Sequence, residues 1–399
     1  MRRLLAATIA LLALAAAPAL AGQWYAGDLH VHTTYSHDSW GGPGDDEPTD
    51  PTEYYTFGNT VQEDFLIAAA RGLDYLAITD HNNVKAQSDP GWQAGGVLGI
   101  PAYENSLHGH GQMLGATKVY DNGNSGQGAV RAMEEALHRD GGLLQANHPT
   151  DPVWDYEYAD RTPVGDGPTT PGVPVDTVEV WNLPWYYDAP FPAAGDHDSM
   201  LRFGEALLDR GAHVAFTGGS DSHWASTVAA QGPGQPTTWV YADDLSVKGI
   251  LAGIKAGRTT ISWQPPNLGG PRVYLEGEVD GQWTAMPGDT VKPGTPIRAH
   301  VTGAPGAQVD LVVDHANHVL DVPATSTDFT TEPMTMPANA SYVYAQVFGD
   351  DRQADRQMIC QSIPLIDLDG QTDYCHNREA MLALSSAIYF APAKLPRLP

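Results

Sequence analysis

The sequence predicts an α/β fold with a parallel sheet over residues 22–264, followed by a small antiparallel β-sandwich over residues 271–399. In the first segment, amphipathic helical patterns alternate with short apolar runs, and polar residues follow the runs. A Pro/Gly-rich stretch, "SWQPPNLGGP", separates the two segments. Beyond it, apolar and polar residues alternate at period two between Gly, Pro, Asp and Asn turns, which is typical of antiparallel strands.

The first 21 residues have the pattern of a secretory signal peptide. Arg2 and Arg3 precede a short apolar run, and Ala19-Leu20-Ala21 forms a small-x-small cleavage site. No later stretch approaches about twenty apolar residues, so we expect a soluble mature protein in the periplasm or outside the cell. In such a compartment Cys360 and Cys375 are expected to form one disulfide.

The charge balance excludes some partners. The 399 residues contain 48 Asp and Glu against 21 Lys and Arg, which gives a formal net charge of -27. Such a surface repels nucleic acid and anionic lipid, so neither is expected as a partner. A small-molecule substrate is expected instead, and the oligomeric state stays open.

Each element of the first segment follows one pattern. Residues 61–71 form an amphipathic helix, Gly72 ends it, and the apolar strand "LDYLAI" leads to Asp80 and His81. The same pattern predicts helices over 129–140 and 199–211, and strands over 143–147, 176–182 and 213–219. In α/β folds, side chains at the carboxyl ends of parallel strands converge, so the polar residues there are the candidate site.

Histidines concentrate in the first segment. Eleven of the fifteen lie between His30 and His223. His30 and His32 alternate on a predicted strand and therefore point to the same face. Imidazole and carboxylate ligands without thiolates suit Zn²⁺, Mn²⁺ or Fe²⁺. Because the candidate ligands exceed what one ion needs, the sequence predicts a bi- or trinuclear site.

Five motifs occur in the order typical of one superfamily: "DLHVHTTYS", "LAITDHN", "YENSLHGHGQMLG", "ANHPTD" and "TGGSDSH". Over about residues 27–260 the chain resembles the PHP superfamily, the polymerase and histidinol phosphatase metallohydrolases. The resemblance implies a distorted (β/α)₇ TIM-like barrel, here followed by an immunoglobulin-like sandwich. With its trailing β segment and "ALSSAIYFAP", the chain looks most like the exported branch that includes carbamate-ester hydrolases.

The resemblance also implies three ligand sets. They are His30, His32, Glu104 and Asp221 for one ion; Glu104, His110 and His148 for a second; and Asp38, His81 and His223 for a third. Counted from His32, the next ligand stands five or six residues on, where His37 and Asp38 compete for one position; register favours Asp38. We take Glu104, Asp221, His223 and His108 as catalytic candidates, with His108 orienting a ligand, contacting the leaving group or merely exposed.

The favoured function is hydrolysis of a phosphate ester by a metal-activated hydroxide. The candidates for substrate contact are His37, Lys85, Asn182, Trp185 and Arg258, with Lys85 and Arg258 as anion clamps. Because Lys and Arg are sparse, a carboxylic or carbamic ester is an alternative substrate for the same cage. A catalytically silent metal- or carbohydrate-binding protein is the third interpretation.

The β segment is interpreted as a stabilising cap on the barrel, or alternatively as a carbohydrate- or envelope-binding module.

Overall fold

The computed structural model describes residues 22–40, 56–107, 109–120, 127–150, 175–182, 197–223, 232–314, 317–349 and 380–391. They form a mixed α/β architecture with many strands and few helices, which confirms the predicted fold class at that level. The α-helices of the described residues are α1 (Val61–Arg71), α2 (Gln127–Arg139), α3 (His197–Asp209) and α4 (Val247–Lys255). Short 3₁₀ helices span Lys85–Ser88, Ala94–Gly96 and Pro266–Leu268.

The strands up to residue 262 are β1 (Gln23–Val31), β2 (Ser39–Trp40), β3 (Thr56–Phe57), β4 (Tyr75–Ile78), β5 (Leu98–Pro101), β6 (Glu104–Asn105), β7 (Gly111–Leu114), β8 (Leu143–Ala146), β9 (Thr177–Asn182), β10 (Ala215–Gly219), β11 (Thr237–Ala242) and β12 (Thr259–Ser262). The strands beyond it are β13 (Arg272–Val279), β14 (Gln282–Ala285), β15 (Thr290–Val291), β16 (Pro296–Thr302), β17 (Gln308–Val313), β18 (Asn317–Pro323), β19 (Asp328–Thr330), β20 (Met334–Thr335), β21 (Tyr342–Gly349), β22 (Ala380–Ser385) and β23 (Ile388–Phe390).

Helix α1 shows how local sequence fixes an element. The Thr60 hydroxyl accepts the Glu63 N–H, and the Glu63 carboxylate accepts the Thr60 N–H at 2.8 Å, which closes a capping box. Gly72 ends the helix at φ 79°, a left-handed conformation that glycine adopts without steric cost. The buried face, including Phe65 and Ala68, packs on β4 and its neighbours.

Apart from β2 and β3, which pair only with each other among the described strands, the strands before residue 264 lie in two sheets. In the first, neighbours follow the order β12-β11-β1-β4-β5, and in the second β10-β9-β8-β7-β6. The pairs β1–β4, β4–β5, β8–β9 and β9–β10 are parallel, as the sequence pattern predicts, whereas β1–β11, β11–β12, β6–β7 and β7–β8 are antiparallel. The connection between β6 and β7 is too short for a parallel crossover, so this pair forms a hairpin.

The two sheets meet at single bridges beside the candidate site. His81 pairs with Glu104, and Val31 pairs with Ser222. The His32 N–H also donates to the Ser222 carbonyl at 3.0 Å. These contacts join the carboxyl end of β1, where His30 and His32 lie, to the second sheet.

The C-terminal strands continue the first sheet. Strand β22 pairs antiparallel with β12, and β21 pairs with β22, so one 11-stranded sheet crosses the sequence-predicted boundary at residues 264–271. A second C-terminal sheet has the order β14-β13-β16-β19, with β20 paired to β16. One hydrophobic cluster also crosses the boundary, where Phe216 and Trp181 are grouped with Val273, Tyr344 and Leu384.

Polar contacts add to this connection. The Tyr344 hydroxyl donates to Glu205 of α3 at 2.6 Å, and the Ser386 hydroxyl accepts the Phe216 N–H at 2.8 Å. All of these residues are buried. Since buried polar groups are costly when unpaired, these hydrogen bonds make the C-terminal strands part of the structure that supports the candidate site.

Several sequence-based predictions lie outside the described residues. The signal peptide of residues 1–21, both cysteines of the predicted disulfide, His108 and Trp185 belong to this group. Within the described parts of the chain, no helix has the length and apolar character needed to cross a membrane.

Candidate metal centre

Nine side chains with metal-ligand chemistry converge at the edge of the sheets where strands β1, β4, β8 and β10 end. Their positions are the end of β1 (His30, His32), the loop after it (Asp38), the segment after β4 (His81), β6 (Glu104), the residue before β7 (His110), the segment after β8 (His148) and the segment after β10 (Asp221, His223). The structure thus brings together all nine residues of the sequence-predicted ligand sets.

His30 and His32 form the centre of the cluster. Their Nε2 atoms lie 3.1 Å apart. Glu104 Oε2 lies 3.4 Å from His30 Nε2 and 3.3 Å from His32 Nε2, and Asp221 Oδ1 lies 3.1 and 3.2 Å from the same atoms. The side chains of both histidines are 0% exposed, so these ligand atoms face one another away from bulk water.

Glu104 connects this centre to two further groups. Its Oε2 lies 3.2 Å from His81 Nδ1, and its Oε1 lies 3.0 Å from His110 Nδ1 and 3.4 Å from His148 Nε2. On the opposite side of His81, Asp38 Oδ2 lies 3.0 Å from the Nε2 atom of that histidine. The same oxygen of Asp38 lies 2.8 Å from His223 Nε2.

These residues fit divalent ions. Glu104 Oε2 and Asp221 Oδ1 are buried and lack a hydrogen bond from the described residues. An unpaired buried carboxylate oxygen costs several kcal/mol unless a cation compensates it. Ligand atoms at 2.0–2.1 Å from a tetrahedral ion are about 3.3 Å apart, which matches the spacings around His30 and His32. Nitrogen and oxygen donors without sulfur suit Zn²⁺, Mn²⁺ or Fe²⁺.

Two asparagines orient the carboxylates. Asn147 Nδ2 donates to Glu104 Oε1 at 2.7 Å, and Asn182 Nδ2 donates to Asp221 Oδ2 at 3.1 Å. Each amide therefore holds one oxygen and leaves the other directed at His30 and His32. Asn182, predicted as a substrate contact, is instead buried and hydrogen-bonded to the ligand Asp221.

Further supporting residues were not identified from the sequence pattern. Ser36 Oγ lies 3.0 Å from His32 Nδ1 and accepts the His81 N–H at 3.2 Å. Asn147 directly precedes a predicted ligand, but its contact with Glu104 depends on strand pairing between β6, β7 and β8. Sequence spacing alone does not reveal such a contact.

The backbone is strained at two ligands. His148 has φ 23° and Asp221 has φ 47°, in the left-handed region that residues with a Cβ rarely adopt. Strained backbone of this kind costs of order 1–3 kcal/mol and concentrates at functional sites, where the surrounding structure enforces it. The fold thus holds both ligands in place at an energetic cost.

Comparisons with known proteins give limited matches. A family model described as a protein of unknown function (DUF3604) matches residues 20–89. No curated protein matches the chain. Among solved structures, a two-domain protein from Bacteroides vulgatus that contains a predicted PHP-like metal-dependent phosphoesterase is 13% identical, with a TM-score of 0.42 over 82% of this chain and 90% of that one.

The other predicted substrate contacts are dispersed. His37 is exposed, and its ring centroid lies 4.8 Å from that of His81 at the mouth of the cluster. Lys85 is exposed in the 3₁₀ helix that follows the β4 loop. Arg258 precedes β12 at the opposite end of the sheet, where it lies 3.7 Å from Asp289, so the structure does not bring it to the cluster.

Carboxylates control the protonation of the cluster. Burial lowers the pKa of His148 and His223, but Glu104 and Asp38 outweigh it, and the pKa values rise to about 9 and about 10 respectively. Burial dominates at His81, whose pKa falls to about 4. At pH 7 the metal-free protein therefore carries protons on His148 and His223, at nitrogens that face the carboxylates.

Metal uptake should therefore depend on pH. Ligation requires neutral imidazole, so we expect metal binding at pH 7 to release protons and apparent affinity to rise between pH 7 and 9. Calorimetry in buffers of different ionisation enthalpy measures the number of protons released on metal binding. Metal binding at pH 7 without proton release would contradict the assigned protonation states.

The stability of the metal-free protein should fall over the pH range in which the apparent metal affinity rises. A raised histidine pKa contributes stability that is complete below the unfolded value of 6.5 and is lost as pH rises through about 9 to 10. Thermal unfolding of the metal-free protein at pH 7 and pH 10 tests this sign.

Proposed function

We propose that the chain is an exported, PHP-like metal-dependent hydrolase of phosphate esters. The convergence of nine His, Asp and Glu side chains, with buried carboxylate oxygens that receive no hydrogen bond from the described residues, carries the proposal. The proposal includes a distorted (β/α)₇ barrel and an immunoglobulin-like C-terminal sandwich. Two isolated bridges between the sheets of the first segment support the barrel.

Divalent ions in this cage would activate water and neutralise the charge that develops on an ester oxygen. The nine residues would hold two or three such ions, with Glu104 shared because its two oxygens face different histidines. Asp221, after β10, and Glu104, in β6, both direct negative charge at His30 and His32. The asparagine contacts fix the orientation of both carboxylates.

Exposure of the ligands indicates where a substrate enters. His30, His32 and Glu104 are 0–1% exposed, whereas Asp38 is 29% exposed and His223 is 18% exposed. We therefore place the ester at the side formed by Asp38, His81 and His223. His223 is positioned there to contact the substrate or its leaving group, and His37 lines the same mouth.

One observation favours a second substrate class. Arg258, a predicted anion clamp, lies at the opposite end of the sheet, beside Asp289. Phosphate sites commonly use bidentate arginine, which is absent from the contacts described around Glu104 and Asp221. A carboxylic or carbamic ester would need no such clamp, and it is the alternative that we propose for the same cage.

The test combines metal analysis with a substrate panel. The purified mature protein should contain two or three divalent ions per chain and hydrolyse chromogenic phosphate esters. Chelation should abolish turnover, and Zn²⁺ or Mn²⁺ should restore it. Preferential turnover of acyl or carbamoyl esters would select the alternative, and full activity in metal-stripped protein would exclude both.

A further inference from the structure

Glu179 is a buried carboxylate that contacts three parts of the ligand cluster. It lies on β9, and its side chain is 0% exposed. Its Oε1 lies 2.9 Å from His30 Nδ1. Its Oε2 accepts the His148 backbone N–H at 2.9 Å and the Asn182 amide at 3.0 Å. The same amide of Asn182 reaches Asp221, so one carboxylate links ligands at the carboxyl ends of β1, β8 and β10.

The contact with His30 determines which ring nitrogen carries the proton. His30 Nε2 faces His32, Glu104 and Asp221, so this nitrogen must present its lone pair if His30 is to bind an ion. The proton of a neutral ring then sits on Nδ1 and is donated to Glu179. Carboxylate–histidine pairs of this kind fix the tautomer and ring orientation of metal ligands.

We propose that Glu179 is a positioning residue that fixes the His30 tautomer and, through the His148 backbone and Asn182, the relative placement of three ligands. This inference rests on the proposed metal centre. Among the described residues, Glu179 is in none of the side-chain groups that could hold an ion, and its two oxygens face the donors of His30, His148 and Asn182.

The neighbouring backbone accommodates this arrangement. A Cβ atom on Gly219 would lie 2.3 Å from His30 Cβ and 2.7 Å from Glu179 Oε1. A side chain at Gly219 would therefore displace either the histidine or its carboxylate partner. Glycine at this position of β10 is what allows β1 to approach Glu179 so closely.

A Glu179→Gln variant separates positioning from packing because it preserves size. The amide has one acceptor, and Oε2 already receives two donors, from His148 and Asn182. The side-chain oxygen of the glutamine should therefore accept the hydrogen bonds from His148 and Asn182, which turns its NH₂ group toward His30 Nδ1. This contact favours the tautomer with the proton on Nε2, which cannot bind an ion.

We therefore expect Glu179→Gln to lower Zn²⁺ affinity by about 10–100-fold, the usual effect of losing an outer-shell partner. Calorimetric titration of metal-free protein with ZnCl₂ and elemental analysis measure affinity and stoichiometry. Glu205→Gln is the matched control, since Glu205 is also buried but bonds Tyr344 away from the ligands. The control should bind Zn²⁺ like the wild type.

The outcomes distinguish the two proposals. Wild-type protein that binds no Zn²⁺ would exclude the metal centre itself. Wild-type binding with unchanged affinity in Glu179→Gln would overturn the positioning role and leave the metal centre intact. If the variant fails to fold, ¹⁵N-histidine spectra of Zn²⁺-loaded wild type, assigned with His30→Gln, still decide: a proton on His30 Nδ1 supports the inference, and metal on Nδ1 overturns it.

Discussion

Replacement of Glu104 by Gln is expected to remove metal from the protein and to lower turnover by at least about 10³-fold. Metal-based charge stabilisation is worth several kcal/mol, and about 4 kcal/mol corresponds to three decades in rate. Glu104 Oε2 contacts His30, His32 and His81, whereas Oε1 contacts His110 and His148. A neutral amide with one acceptor cannot serve both sides.

Elemental analysis and turnover on a chromogenic ester measure this effect. The Glu205→Gln variant makes the same chemical change at a buried carboxylate of α3 and should retain metal and activity. Thermal unfolding of the metal-free proteins separates loss of ligation from loss of fold. If Glu104→Gln kept its full metal content, Glu104 would not be the shared ligand.

Asp38→Ala is expected to lower the metal content by one ion per chain, whereas His37→Ala should leave it unchanged. Asp38 Oδ2 lies 3.0 Å from His81 Nε2 and 2.8 Å from His223 Nε2. Burial opposes its charge, but His223 and His81 hold the pKa of Asp38 well below its usual range. His37 is exposed, and its ring lies against that of His81 with the centroids 4.8 Å apart.

The two adjacent alanine variants serve as controls for each other because they change the same loop. Substrate saturation adds a second measurement, since His37 lines the mouth of the proposed site. His37→Ala should raise the KM for the ester and leave the metal content unchanged. The reverse order of metal loss would make His37 the ligand and Asp38 a residue of the mouth.

Some elements could be predicted because local interactions determine them. The helix at residues 61–71 begins at a capping box and ends at a left-handed glycine, and both signals lie within the helix and its two flanking residues. The pairing of His30 with His32 follows from the alternation of side chains on a strand. The strand-end positions of the other candidate ligands follow from the α/β pattern of the first segment.

Other features depend on contacts that are distant in sequence. Asn147 reaches Glu104 across 43 residues, and Glu179 reaches His30 across 149. Arg258 directly precedes β12, and β12 begins at the end of the sheet opposite the candidate site, so Arg258 is too far away to bind an anion there. The direction of β12 in the sheet is needed to see this. The mixed strand directions likewise depend on the length of each connection and on tertiary packing.

The join between β12 and β22 has a consequence for folding order. The residues of β22 are synthesised more than a hundred positions after those of β12, yet the two strands pair side by side. A nascent chain that ends near residue 264 would expose β12 as an open edge with unsatisfied N–H and C=O groups, a template for aggregation. The segment before residue 264 therefore completes its sheet only when almost the whole polypeptide is available, and contacts of such long sequence separation slow that step.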